Sequence, residues 1–511
     1  MKRTYRILIT LLGVALTAIS CVEKPENDDD PSYAETVQRQ ALEKAQQYLK
    51  ENVMDVYYYW YDQVPRKGYT YKIDIKTYFR SLLYRKDRWS WMMDGQAYIE
   101  DETGIVSGTY GAVIGQPWMD LSKYFENDLN IVVKYVFPDS PFDKAGITRG
   151  CVMEELDGES VLEYYLTSEE HLNEFVEILD NPSTTKAHKF KFKKPDGEYI
   201  TTDLVAAKTL NTRPGLVKKI FTADDYPGLT QPVGYFNYLS FKADDDVNGK
   251  SMLEDITEAM DYFKQNNVKT LILDLRYNGG GDSRASNLLV SYLAPASARG
   301  TVYVNRTHNN NLKSEDESSV VLSPEEAIAE LAKTYDIPLS CKPDSPEFEQ
   351  LFFITGSGSA SASEMTLNGL KPLANVKHVG DTTYGKPNGM YVFYYPYDNA
   401  ARAQYNRGDY SKLKYVFLPI CFYNSNGQGQ YIPDDGIIPD RTVPDDLYHD
   451  FDAGEMNIEA CLYYVVNGSF PAPKPIVRQS AVPQGKVLMK LKRAEDSDEN
   501  YGRYVVIPDF L

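Results

Sequence analysis

The sequence predicts an α/β protein built mainly around a layered core with largely parallel strand pairing. Three observations lead there. Between residues 208 and 450, short apolar runs alternate with stretches of helical spacing. Two of the runs, Val268–Leu275 and Leu351–Thr355, are almost continuously apolar, the pattern of strands buried on both faces. Each runs into a turn rich in glycine or serine and then a helical stretch, the order that parallel crossovers require.

The core elements follow in order. Val233–Phe241 reads as a strand and Met252–Asn266 as an amphipathic helix. Val268–Leu275 is a buried strand and Ser286–Leu293 a helix. Leu351–Thr355 is a second buried strand, Ser361–Leu370 a helix, and Val376–Val379 extends again. Residues 296–348 are polar between core elements and are expected to form a loop-rich insertion, a lid or rim. The chain has 511 residues, too many for one core, so further domains flank this one. Residues 36–103 form an N-terminal helical domain, with Ala34–Val53 at helical spacing and the aromatics Tyr57–Tyr61 at a core-facing end. Residues 451–511 hold one apolar helix, Ile458–Val466, and a mixed tail.

Residues 1–20 read as a signal peptide. Lys2, Arg3 and Arg6 precede an apolar run that is too short to span a bilayer. Ala18-Ile19-Ser20-Cys21 resembles a bacterial lipobox, which implies cleavage before Cys21 and lipidation of its thiol. Residues 21–35 are acidic and Pro-containing, a tether. This stretch also resembles the surface-export signals of Bacteroidetes lipoproteins. The expected location is therefore the cell envelope, with a lipid anchor at the outer membrane, on its periplasmic face or at the cell surface.

A formal net charge of −19 argues against a nucleic-acid partner, because phosphate binding needs a basic face. The five histidines are scattered without metal-ligand spacing, so neither a metal nor a cofactor is expected. Cys151, Cys341, Cys421 and Cys461 lack C-x-x-C spacing. They read either as one or two disulfides or as four small buried hydrophobes.

Residues 104–207 hold shorter strands. In residues 138–161 a turn leads to a short helix closed by Gly146, a second turn at Gly150, the strand Val152–Leu156 and an Asp157-Gly158 hairpin turn. This order resembles the second half of a PDZ domain. Tyr110, Gly111, Ala112 and Val113 stand where such a domain's carboxylate-binding loop would lie. The resemblance implies capture of protein or peptide substrates through free apolar C-termini. The chain's own end, Ile507–Leu511, has that character.

Chemistry concentrates in three segments. Ser361 lies where a buried strand turns into a helix, and the helix N-terminus brings unpaired N–H groups toward a developing oxyanion. Ser361-Ala362-Ser363-Glu364 also fits a capping box. Gly380–Lys386 is a glycine turn bearing a lysine. Asp274-Leu275-Arg276-Tyr277-Asn278-Gly279-Gly280-Gly281 is a strand running into glycines whose N–H groups are open to a reacting carbonyl.

Together the three segments resemble the tail-specific, or C-terminal processing, serine peptidase family. Asp274–Gly280 matches its D-L-R-x-N-x-G-G loop, Ala360–Glu364 its A-S-A-S-E turn, and Thr383–Lys386 its T-x-G-K turn. Gly436-Ile437-Ile438-Pro439-Asp440 matches its G-I-x-P-D element. The resemblance implies a ClpP/crotonase-like layered protease core over residues 208–450, preceded by a PDZ domain at 104–207. It implies Ser361 as nucleophile, Lys386 as general base and Glu364 in an assisting role. It places Ala362 with Gly279 or Gly280 at the oxyanion. Pro387 and Met390 depart from the pattern, since glutamine often stands at the latter position and orients the lysine. Two other readings stay open: a catalytically inactive PDZ-containing scaffold lipoprotein, and a Ser–His–Asp hydrolase. The latter lacks a G-x-S-x-G elbow and has His378 as its nearest histidine.

Overall fold

The computed structural model describes residues 31–115, 131–180, 182–339, 346–405, 412–447 and 449–472. Its central sheet has six strands in the order Gly215–Phe221, Val233–Tyr238, Thr270–Asp274, Gln350–Thr355, Val376–Gly380 and Arg441–Thr442. The first pair is antiparallel and the remaining pairs are parallel. Side-chain alternation divides each buried strand between two apolar layers. Leu271, Leu273, Leu351 and Phe353 pack with the helices Glu254–Gln265, Ser283–Leu293 and Ala362–Leu370. Ile272, Phe352 and Ile354 face the opposite layer, with Ile458, Cys461 and Leu462 of the helix Met456–Asn467. The near-continuous apolar runs in the sequence thus reflect helical cover on both faces.

A smaller antiparallel sheet runs Ala112–Gly115, Ile131–Val136, Val152–Leu156, Phe190–Lys193 and Tyr199–Thr201. Its turns follow the local chemistry. The Ser140 hydroxyl accepts the Asp143 N–H at the start of the helix Pro141–Lys144. Asp157 and Gly158 both have positive φ, 54° and 88°, and join Leu156 to Glu159 in a two-residue hairpin. Val113, Tyr135 and Phe137 of this unit belong to the apolar layer under the central sheet, so the small unit docks on that face.

The N-terminal helix Pro31–Gln47 continues as a π-helix, Tyr48–Met54. Leu49, Val53, Tyr58, Tyr78 and Phe79 pack against Phe417 of the strand Leu413–Leu418. Among the described residues, no helix is long and apolar enough to cross a membrane. Cys151, Cys421 and Cys461 are buried free thiols, which removes them from disulfides. Cys341 and Cys21 lie outside the described residues, as do the signal peptide and the C-terminal Ile507–Leu511.

Residues 296–348 differ from the loop-rich expectation. Val302–His308 and Glu317–Val320 are strands, and Pro324–Tyr335 is a helix. Val302–His308 pairs with Ile420–Asn426, in a sheet that ends on Asn388–Met390. The strand's partner is more than a hundred residues away in sequence, so local composition hides it. The helix has a legible start: the Ser323 hydroxyl accepts the Glu326 N–H, the Glu326 carboxylate accepts the Ser323 N–H, and proline stands at the first helical position.

Candidate active site

The site begins at the corner between Gln350–Thr355 and Ala362–Leu370. Ser359 ties the corner down: its hydroxyl donates to the Leu275 carbonyl at 2.7 Å and accepts the Gly356 N–H at 3.0 Å. Ser361 follows with φ 53° and ψ −113°, a backbone region that costs a non-glycine residue about 1–3 kcal/mol and persists where its surroundings enforce it. The helix's first backbone bond runs from Met365 N–H to Ser361 C=O, 2.7 Å. The Ala362 N–H lies ahead of that bond, at the positive end of the helix.

The glycine loop closes over this corner. A side chain at Gly280 would bring its Cβ within 2.7 Å of Ser361 Cβ and 2.9 Å of Ala362 N, so only glycine permits the approach. Asn278 is the residue that shapes the loop. Its amide donates to the Tyr238 carbonyl, and its backbone carbonyl accepts from the Ser363 hydroxyl and the Ala360 N–H. Its side-chain oxygen accepts the Gly280 N–H at 2.8 Å. Of the two loop glycines expected at the oxyanion, Gly279 or Gly280, the latter has its N–H engaged by the Asn278 side chain, which folds back on it. Gly279 is partly exposed.

Lys386 arrives on a turn braced from both sides. Gly385 has φ 87°, and a Cβ there would sit 2.2 Å from the Asp434 carbonyl; a Cβ at Gly436 would meet the Thr383 carbonyl at 1.9 Å. The Thr383 hydroxyl accepts the Ile437 N–H at 2.7 Å, so the Gly436–Asp440 element clamps the lysine turn. From the N-terminal domain, Arg88 donates to the carbonyls of Gly385 and Asp434.

Glu364 joins the serine corner to the lysine turn. One carboxylate oxygen accepts the Thr383 hydroxyl and the Gly385 N–H, at 2.5 and 2.8 Å. The other accepts the N–H groups of Ser361 and Lys386, at 3.0 and 2.9 Å. Burial raises the Glu364 pKa from its ordinary value, while these four donors act in the opposite direction. The Glu364 half of the capping box thus forms, and the same oxygen reaches the lysine turn. Glu364→Gln is expected to lower any Ser361-dependent turnover by about 10²-fold. Its amide turns donors toward donors, and a misplacement near 1 Å has a cost of that order. Steady-state turnover of an unfolded protein substrate checks this. Wild-type turnover in a folded Glu364→Gln protein would refute the positioning role.

Lys386 is partly buried, and this burial lowers its pKa to about 8, partly opposed by the charges of Glu364 and Asp87. Its hydrogen-bond partner in this structure is Met390 Sδ, at 3.7 Å, rather than Ser361 Oγ. Serine and lysine are therefore assembled on one frame without a hydrogen bond between them in this state.

The histidines serve elsewhere. His378 Nε2 pairs with Thr355 Oγ1 at 2.6 Å, and burial pushes its pKa down to about 3. His171, His188, His308 and His449 pair with Glu159, Asp157, Asp316 and Asp446. A Ser–His–Asp arrangement at Ser361 is thereby excluded.

Three of the four residues expected in a peptide-binding loop are engaged within the fold. The Tyr110 ring packs against Phe142 and Phe190 in the small unit's core, with centroids 5.1 and 5.0 Å away. The Gly111 N–H is taken by Thr109 Oγ1 at 2.9 Å, and Val113 is buried against the central domain. The physical reason is that this strand has a core on each side. Ala112 stays on the terminal strand of its sheet.

A buried charge network ties the small unit to the glycine loop. Arg149 donates to Tyr277 Oη, Asp445 Oδ1 and the carbonyls of Lys134, Asp446 and His449. Arg276 donates to Asp274, Asp445 and Glu455. Sequence reading named Asp274 and Arg276 as motif letters; their partners Asp445 and Glu455 had no local signal.

A strand-to-helix serine, a facing glycine loop and a clamped lysine turn thus stand together on one parallel sheet. Residues 232–443 match the model of peptidase family S41, and residues 51–91 match the peptidase S41 N-terminal domain. Among solved structures, the chain is similar to one assigned as an S41 protease from Bacteroides fragilis NCTC 9343. The TM-score is 0.62 at 18% identity, covering 82% of this chain and 97% of that one. A photosystem II D1 C-terminal processing protease aligns at TM-score 0.39 and 17% identity, covering 80% and 93%. Mature CPAF complexed with lactacystin aligns at TM-score 0.40 and 13% identity, covering 83% and 97%. No curated protein matches the chain.

Proposed function

We propose that the protein is a serine endopeptidase in which Ser361 attacks the peptide carbonyl and Lys386 is the general base. The observation that carries this reading is the Glu364 carboxylate, one oxygen of which holds the backbone N–H of both residues. A lysine depressed to about 8 is partly neutral at physiological pH. Its neutral amine takes the Ser361 proton as Oγ bonds to the carbonyl carbon, after the amine turns from Met390 to Ser361. The oxyanion faces the N–H groups of Ala362 and Gly279. Lys386 then protonates the leaving amine, and water hydrolyses the acyl-enzyme. The layered core is read as ClpP/crotonase-like.

The sign of the pH dependence follows from the amine. Below about 8 the lysine is mostly protonated and cannot accept a proton; above it the base is free. Activity is therefore expected to rise with pH through about 8, with Lys386→Arg inactive across the range because guanidinium stays protonated. The check is the pH profile of fluorophosphonate labelling. A rate that falls with rising pH, or an active Lys386→Arg, removes lysine from the base role.

We read residues 104–207 as a PDZ-like unit that selects substrates by their C-termini. Support comes from Ala112–Gly115, the end strand of its sheet, along which an extended peptide can add. Peptides ending in free or amidated leucine should differ in affinity; equal binding and cleavage would leave the unit purely structural. The Cys21 anchor and the envelope location complete the proposal, with metabolic lipid labelling of wild type against Cys21→Ser as the test.

A further inference from the structure

The two carboxylates whose charges act on Lys386, those of Glu364 and Asp87, accept their hydrogen bonds from other groups. Glu364, from the nucleophile helix, spends both oxygens on backbone N–H groups and the Thr383 hydroxyl. Asp87, from the N-terminal domain, accepts from Tyr58 Oη and from the N–H groups of Trp89 and Ser90. Arg88 faces the turn through the Gly385 carbonyl. Nζ is left with a thioether, Met390 Sδ, at 3.7 Å. Met390 ends the strand Asn388–Met390 and is partly exposed.

We propose that Met390 is an oxidation site that controls the Lys386 amine, with a peroxide-class oxidant as co-reactant. The sulfur lone pair attacks one peroxide oxygen; an S–O bond forms, the O–O bond breaks, and sulfur gives up two electrons. The peroxide is reduced to water, or to an alcohol if alkylated, and no group on the protein gains or loses a proton. A weak acceptor becomes a strong one. The sulfoxide oxygen binds the ammonium form of Lys386 more tightly than the amine. The lysine then stays protonated to higher pH and is held toward position 390, away from Ser361. Glu364, Asp87 and Arg88 are chemically unchanged. This inference rests on Lys386 being the base.

The experiment follows fluorophosphonate labelling of Ser361 against pH, before and after mild hydrogen peroxide, with peptide mapping of the added oxygen. Oxidised wild type should show its midpoint moved up by about one pH unit, and so label roughly tenfold more slowly at neutral pH. Methionine sulfoxide reductase should restore the original profile. Met390→Leu, whatever its own rate, should give the same profile before and after peroxide. The inference is overturned if Met390 resists peroxide, if wild type oxidised at Met390 keeps its midpoint, or if Met390→Leu shifts equally. If untreated Lys386→Ala labels as fast as wild type, the base assignment itself has failed, a result separate from these.

Discussion

Ser361→Ala is expected to abolish fluorophosphonate labelling and to lower peptide hydrolysis by about 10⁴-fold or more, the scale of removing a nucleophile from a working unit. The fold should survive. Alanine can occupy φ 53° as serine does, and the carboxylate clamp on the residue's N–H is a backbone bond that the substitution leaves in place. The stability change should stay below about 2 kcal/mol, the upper range for a helix-cap residue. Circular dichroism and a denaturant midpoint establish that the protein is folded, and turnover is then compared with wild type. An alanine protein that hydrolyses peptides at the wild-type rate would remove Ser361 from the nucleophile role.

Arg276→Ala is expected to destabilise the protein by about 3–5 kcal/mol, the usual result of removing one partner from a buried ion network. That is a large share of the ~5–15 kcal/mol that holds a domain folded. The substitution strips the Arg276 ion pair from Asp274, Asp445 and Glu455, and Asp445 keeps its pair with Arg149. The acid response gives a second readout. Against the upward push of burial, Arg149 and Arg276 hold Asp445 below the usual carboxylate range, and Arg276 does the same for Glu455. Their stabilisation is present above the unfolded carboxylate values of about 4 and is lost as pH falls through the lower folded ones. Without Arg276, urea midpoints should be lower at neutral pH and fall less steeply on acidification. An unchanged midpoint at neutral pH would show that the network is energetically neutral. Arg276 stands two residues before Asn278, so loss of activity should accompany the loss of stability.

Much of the core was legible locally. The strand runs Thr270–Asp274 and Gln350–Thr355, the helix after Ser361 and the Asp157-Gly158 hairpin each arise from side-chain periodicity or from turn chemistry within a few residues. The insertion was not, because the strand Val302–His308 acquires its identity from Ile420–Asn426. The surroundings of the expected peptide loop were hidden for a related reason: Tyr110 and Val113 are each claimed by a different core.

By itself the sequence determined the order of the central strands and helices outside the insertion, and the serine, glycine and lysine turns, because backbone preferences and apolar spacing act over short distances. Tertiary structure alone decided how those turns cooperate. Glu364 could be read as a helix cap; that its carboxylate also binds Gly385 and Lys386 depends on two chain segments meeting. Asn278 occupying the Gly280 N–H, and Met390 rather than a carboxylate facing the lysine amine, are likewise outcomes of packing. Hydrogen bonding and burial are properties of neighbours in space, and these neighbours are joined only when the parallel sheet brings its strand ends to one edge.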